Sequence, residues 1–380
     1  MRVLIAIFAL LSLAGAALAQ AEFDTKAKFA VLMDYESGTV IFQKDADAPL
    51  EPASMTKLMT LAVVFNEIRA GRVSLDDEFF VSENAWRTGG AASGGSTMFA
   101  ELNSKIRVED LVRSVIIQSG NDAAIVLAEG IAGSEATFAL MMNELANDLG
   151  LEGSNFTNST GLPDPNERST ARDLAELGRY LIREFPEYYH YFSEPSMEWN
   201  GINQANRNSL VEMGIGVDGL KTGHTEAAGY GSVTSTDQGD RRLIAVVHGL
   251  TSMRERTEEA RKLLTWGARA FERFTPYAEG QIVAYADVYG GAKPNVGLVG
   301  QGEIALYLPR GSRQCLSATV NYQAPLLPPV RQGDRIAELR VFCNGQLVQA
   351  APLYAAEDIS QGDLIRRATD ALKQLALGWL

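Results

Sequence analysis

The sequence predicts an α/β (α+β) fold in which an antiparallel sheet carries helices on both faces and a helical lobe is inserted, followed by a small all-β sandwich and a C-terminal amphipathic helix. Three observations predict it. Up to Pro276 the chain reads as strands, then helices, then strands, then a helix. Beyond Pro276, short alternating runs are separated by Gly- and Pro-containing turns, the pattern of a β domain of about 80 residues. From Asp363 to Leu380, apolar residues recur at helical spacing among Arg and Lys.

The elements follow in chain order. Arg2 precedes an apolar run, Val3 to Leu13, and then the small-residue stretch Ala14 to Ala19. That is the layout of a secretory signal peptide, assigned to residues 1–21. Ala17-Leu18-Ala19 fits cleavage before Gln20, and Ala19-Gln20-Ala21 fits cleavage before Glu22. Phe29 to Asp34 and Thr39 to Gln43 read as a hairpin turned at Glu36-Ser37-Gly38. Pro49 and Pro52 lead to Ser54, after which Met55 to Ile68 is helical and stops at Gly71. Helical spacing recurs over 108–130, 134–149 and 171–185. Short strands are expected over 214–223, 229–236 and 242–249, then a helix over 258–274. This first unit is assigned to residues 22–275. Gln281 to Ala284, Ile304 to Leu308 and Ile336 to Val341 read as strands of a second unit, 276–360. The tail, 361–380, has a basic polar face and a terminal Trp379, which suits a helix lying in a membrane interface.

Composition excludes several function classes. With 380 residues and 46% hydrophobic content, two folded units are expected. A formal charge of -13 speaks against a nucleic-acid partner, which needs clustered Lys and Arg. His190, His224, His248, Cys315 and Cys343 lack the spacing of a zinc site, and no phosphate loop or dinucleotide fingerprint is present, so no cofactor is implied. In an oxidising compartment the two cysteines form one bridge; two buried thiols is the alternative.

Three short motifs carry chemistry. Ser54-Met55-Thr56-Lys57 sets a hydroxyl and an amine three residues apart, on one face of a helix that begins near Ser54. Ser is a weak nucleophile until a base takes its proton, and a neutral lysine serves if burial or a second cation depresses its pKa. Alone the motif is weak, because about one chance match is expected in a chain this size. Ser119-Gly120-Asn121 offers a hydroxyl that can pass a proton and an amide that can hold a peptide, although a surface turn has the same composition. Lys221-Thr222-Gly223 lies in a strand-like run, where Lys221 adds a fixed cation and Gly223 lets a substrate backbone approach. That tripeptide is expected only about 0.1–0.2 times by chance, so it informs most.

The order Ser-x-x-Lys, Ser-x-Asn, Lys-Thr-Gly resembles that of the penicillin-recognising serine enzymes. Pro52 to Lys57, Gln118 to Ala123, Asn206-Arg207-Asn208, Val217 to Thr225 and Lys262 to Gly267 are similar to the low-molecular-mass D,D-carboxypeptidases, and the similarity covers about residues 25–380. It implies a serine β-lactamase/D,D-peptidase-like fold and a D-alanyl-D-alanine carboxypeptidase acting on peptidoglycan pentapeptide stems. It implies Ser54 as nucleophile, Lys57 as general base, and backbone N–H groups of Ser54 and His224 as the oxyanion hole. Ser119 and Lys221 then manage protons, Asn121 holds the peptide and Thr222 its terminal carboxylate. Arg207 or Arg256 assists with that carboxylate, though each equally fits a salt-bridged surface arginine. β-Lactams are expected to acylate Ser54, and the protein is expected to be periplasmic and peripheral on the cytoplasmic membrane. A class A β-lactamase is the nearest rival, but no Glu-x-x-Leu-Asn run lies between Asn121 and Lys221. A D,D-endopeptidase and a wall-shaping protein that mainly binds penicillin remain open alternatives.

Overall fold

A computed structural model describes residues 23–239, 241–309, 315–343 and 345–377. The expected signal peptide and the tail residues Trp379 and Leu380 lie outside the described residues. Strands β1 (Phe29–Asp34) and β2 (Val40–Lys44) form the expected hairpin. A 3₁₀ turn, Ala53–Thr56, runs into helix α1 (Lys57–Arg69). A small lobe follows, with the ribbon β3 (Glu78–Phe80) and β4 (Lys105–Arg107) and the helices α2 (Val108–Ile117), α3 (Asn121–Ala132) and α4 (Glu135–Asp148). Then come α5 (Ala171–Glu184), the short α6 (Pro186–Tyr189) and the ribbon β5 (Ser196–Trp199) with β6 (Ile202–Ala205). The chain returns to the main sheet through β7 (Val217–Thr225), β8 (Gly229–Asp237) and β9 (Arg242–Leu250), and α7 (Met253–Ala270) closes the unit.

The main sheet is antiparallel in the order β2-β1-β9-β8-β7. Both faces are covered, which explains the unbroken apolar reading of its central strands. Val31 and Met33 of β1, with Ile244 and Val246 of β9, join the core shared with α1 to α5. Ala30, Leu32, Leu243, Ala245 and Val247 point the other way, into the core shared with α7. Helix α1 is buried on all sides from Lys57 to Phe65, as a central helix must be.

Two expected helices are revised. The single helix over 108–130 breaks at Gln118-Ser119-Gly120, where Ser119 takes a φ of 66° and starts a new helix. The helix expected over 258–274 begins earlier and ends earlier. Ser252 caps it by accepting from the Glu255 N–H, a capping signal ahead of the apolar run. Phe271 and Phe274 keep helical spacing but belong to β10 (Phe271–Tyr277), because that stretch pairs with β13 (Ile304–Pro309). The expected boundary at 275/276 therefore falls inside a strand.

The second unit adds β11 (Ala284–Asp287), β12 (Asn295–Val299), β14 (Leu316–Tyr322), β15 (Arg335–Cys343) and β16 (Gln346–Ala355) in a sheet ordered β11-β12-β16-β15-β14. The strand expected at Gln281 starts only at Ala284. Leu298, Leu306, Leu308, Leu339 and Leu353 share its core. Cys315 is disulfide-bonded. The last element is α8 (Leu364–Leu377). Among the described residues no single helix is long and apolar enough to cross a membrane.

Candidate active site

The turn that carries Ser54 is wound more tightly than an α-helix. Ala53 is buried and held at a φ of 48°, and Ser54 is the partly exposed residue of an otherwise buried stretch. In a 3₁₀ turn residues i and i+3 eclipse, so Ser54 and Lys57 meet although α1 itself starts only at Lys57. Lys57 Nζ lies 3.1 Å from Ser54 Oγ, and donates to Asn121 Oδ1 at 2.7 Å and to the Thr160 carbonyl at 2.6 Å. Lys57 is 0% exposed. Burial pushes its pKa down to about 7, against the opposing pull of Asp122, Glu135 and Glu167. A neutral amine has two N–H donors and one lone pair. With both donors committed to Asn121 and Thr160, the lone pair is left for the Ser54 hydroxyl.

Two further segments converge on the same cleft. Asn121 opens α3, and the strained Ser119 just before it places its hydroxyl 2.8 Å from Lys221 Nζ, which also donates to the Thr222 carbonyl at 3.0 Å. Lys221 is 1% exposed. The expectation of a fixed cation at Lys221 changes form here. Burial lowers the Lys221 pKa well below the usual lysine value, and the charges of Lys57, Arg207 and Arg256 lower it further. The drop at Lys57 comes from burial.

β7, which carries Lys221 to His224, is one of the two edge strands of the main sheet. Gly223 is buried against the nucleophile turn, not open to substrate. A Cβ there would sit 2.9 Å from the Pro52 carbonyl and 3.2 Å from the Met55 nitrogen, so glycine lets β7 run directly beside Ser54. His224 is exposed and its ring stacks on Tyr230 at 3.8 Å. Neither arginine is a salt-bridged surface residue: among the described residues no ion pair forms at either. Arg207 is exposed, and its Nε approaches the Gln118 carbonyl at 3.5 Å. Arg256 is buried, donates to the Arg207 carbonyl at 3.1 Å, and is pushed down to about 10 by burial, which leaves it charged at neutral pH. Thr222 lies between these two arginines in sequence and is itself buried.

This arrangement matches known proteins over nearly the whole chain. A family model described as D-alanyl-D-alanine carboxypeptidase matches residues 16–252, and one described as penicillin-binding protein 5, C-terminal domain, matches 271–361. The chain is 41% identical to D-alanyl-D-alanine carboxypeptidase DacC of Escherichia coli, covering 90% of this chain and 86% of that one. The chain belongs to the D-alanyl-D-alanine carboxypeptidase family. Its fold is similar to penicillin binding protein 5 from Haemophilus influenzae, with a TM-score of 0.77 and 37% identity over 90% of this chain and 99% of that one. It is also similar to penicillin-binding protein D2 from Listeria monocytogenes in the ampicillin-bound form, with a TM-score of 0.57 and 27% identity over 65% of this chain and 99% of that one.

Within this carboxypeptidase-family site, three residues went unread in the sequence. Thr160 contributes a backbone carbonyl, which has no side-chain signature. Asp122 follows Asn121 directly and is fully buried, accepting from Thr97 Oγ1 at 2.5 Å and from the N–H groups of Met98 and Ala100 at 2.9 and 3.0 Å. It pins the 97–100 segment to the start of α3. Glu167 lies between Asn121 and Lys221, but outside the motif that a search for a deacylating glutamate requires. Among the described residues no cluster of three or more His, Cys, Asp or Glu side chains is placed to hold a metal ion.

Proposed function

We propose that this protein is a serine-type D-alanyl-D-alanine carboxypeptidase that trims peptidoglycan pentapeptide stems through an acyl-enzyme at Ser54. The observation that carries the reading is the buried Lys57 amine, 3.1 Å from Ser54 Oγ with its two other partners fixed. Ser54 Oγ attacks the carbonyl between the two D-alanines while its proton passes to Lys57. The oxyanion that forms is received by the backbone N–H groups of Ser54 and His224. When the C–N bond breaks, the proton that Lys57 took reaches the departing amine through Ser119, which lies 2.8 Å from Lys221 Nζ, and Lys57 is neutral again. Water then attacks the ester, Lys57 takes its proton and returns it to Ser54 Oγ as the ester C–O bond breaks, and the tetrapeptide leaves.

The terminal carboxylate of the substrate needs positive charge at the far end of the cleft. Thr222 offers a hydroxyl there, and Arg256 a buried guanidinium without a carboxylate partner among the described residues. Arg207, exposed beside it, adds a second cation. Asn121 orients the peptide by its amide while its Oδ1 holds Lys57. A β-lactam presents a strained amide in place of the D-alanyl-D-alanine bond and acylates Ser54 by the same attack, in keeping with the ampicillin-bound Listeria relative.

The protein is exported and acts on the outer face of the cytoplasmic membrane, where α8 attaches it. Leu364 and Ile365 are each 79% exposed. The side of α8 that meets the β unit is polar, with the Gly290 N–H donating to Asp370 at 3.0 Å. Apolar side chains left facing outward suit a bilayer surface. The enzymatic reading is tested by measuring D-alanine release from a pentapeptide and covalent labelling by a fluorescent penicillin. Ser54→Ala is expected to abolish both; normal release by that variant would sink the assignment.

A further inference from the structure

The loop between α4 and α5 runs against the nucleophile turn. Its Asn155 and Arg168 backbones pair at 2.8 and 3.0 Å, and between them Gly161 comes so close to Ala53 that a Cβ would overlap the Ala53 carbonyl. Glu167, near the end of this loop, is 5% exposed. Its Oε1 accepts from Thr56 Oγ1 at 2.6 Å, and its Oε2 accepts from the Thr157 N–H at 2.7 Å and from Thr157 Oγ1 at 2.8 Å. Among the described residues it has no ion-pair partner. Three donors converging on one buried carboxyl is the coordination of an acceptor-only carboxylate, although burial opposes its charge and raises its pKa.

The two residues it ties together matter more than its burial. Thr56 sits between Ser54 and Lys57 in the turn. Thr157 opens the segment whose Thr160 carbonyl accepts from Lys57 at 2.6 Å. Resting on the roles of Ser54 and Lys57 given above, we propose that Glu167 is a positioning residue for acyl transfer: one carboxylate locks the nucleophile turn to the loop that orients the Lys57 amine. It contacts neither substrate nor reacting atoms; it fixes the direction in which the Lys57 lone pair points. A small misplacement of a base is costly to rate, because proton transfer requires hydrogen-bond geometry at the moment of attack.

Its charge has a second consequence. The charged groups facing Lys57 are Asp122 from α3, Glu135 from α4, Glu167 from the loop, and Lys221 from β7, while Asp164 faces Glu167. Glu135 also anchors the loop, accepting from Ser159 Oγ at 2.6 Å. Each carboxylate favours the protonated lysine. Removing one charge therefore lets Lys57 lose its proton at lower pH.

The test uses the full chain and the substitution Glu167→Gln, which keeps shape but removes the charge and one acceptor. Acylation of Ser54 by fluorescent penicillin is followed across pH, with kcat and KM for D-alanine release. The expected result is an acylation rate roughly tenfold lower on the alkaline plateau, with KM little changed. The acid limb is expected to move down by roughly half a unit, a shift that a purely structural role does not produce. Folded E167Q protein with wild-type rate and limb would overturn the proposal. If E167Q does not fold, Thr56→Val cuts one tie and keeps the charge. It is expected to slow acylation without moving the limb, and a wild-type rate in T56V would overturn the proposal too. Penicillin labelling that persists in Ser54→Ala would instead mark a failure of the Ser54 assignment.

Discussion

Lys57 is where burial becomes chemistry. An amine enclosed on all sides loses the hydration that favours its ammonium form, so its pKa falls to about 7. In the proposed mechanism only the neutral form takes the Ser54 proton. Acylation by penicillin and release of D-alanine should therefore rise with pH through about 7 and level off above it, as a stopped-flow profile would reveal. A rate independent of pH across neutrality would remove Lys57 from the role of base. At the other end of the cleft, Arg256→Ala should raise KM for the pentapeptide and lower kcat/KM roughly 10–100-fold, the scale of one charge-assisted contact. Arg207→Ala should do less, since an exposed guanidinium is screened by water. Steady-state kinetics of the two variants distinguishes them. That Ser54, Lys57, Ser119, Asn121 and Lys221 belong together as candidates was legible because side chains of particular chemistry recur in a particular order. Thr160 was not, because a carbonyl is common to every residue. That Arg256 meets no carboxylate among the described residues was not legible either, because pairing is decided in space.

The elements position these residues by being interrupted. A regular α-helix through Ser54 would leave its side chain less closely over Lys57; the 3₁₀ turn and the φ of 48° at Ala53 bring it there. The break between α2 and α3 aims Ser119 and Asn121 at the same point. Periodicity alone merged those helices, since the apolar spacing of Leu111 to Ile117 continues into Ala123 to Leu127. Gly161 is the element-scale position most sensitive to change. It has a φ of 72° and no room for a Cβ beside the Ala53 carbonyl. Gly161→Ala should cost about 2–4 kcal/mol of stability from steric strain and left-handed backbone. Urea unfolding measures it, and a loss under about 0.5 kcal/mol would mean the loop adjusts freely.

At the scale of the whole molecule, a catalytic unit built on one sheet is followed by a β unit and a terminal helix. Strand β10 leaves α7 and pairs at once with β13, so the change of texture after Pro276 falls within a strand. The helix α8 meets the β unit through Asp370 and leaves Leu364 and Ile365 outward. Deleting residues 363–380 should move the protein from the membrane pellet to the soluble fraction without loss of D-alanine release. Equal partitioning of the full and truncated forms would show that α8 does not hold the protein to lipid.

Ser54 and its company were singled out as candidates by the sequence itself. Motif order, strand alternation and the apolar run of α1 are local or statistical properties, and they are written along the chain. What only the tertiary structure decided is the state of those residues. Lys57 is suited to the proposed role of base because α1, α3, the 155–168 loop and β7 close around it and lower its pKa. The Lys221 ammonium is weakened, since the same enclosure and its neighbours' charges lower its pKa. Glu167 gains its place because Thr56 and Thr157, far apart in sequence, meet on its two oxygens. Desolvation and long-range contact depend on what surrounds a group in three dimensions, and no window of sequence contains that surrounding.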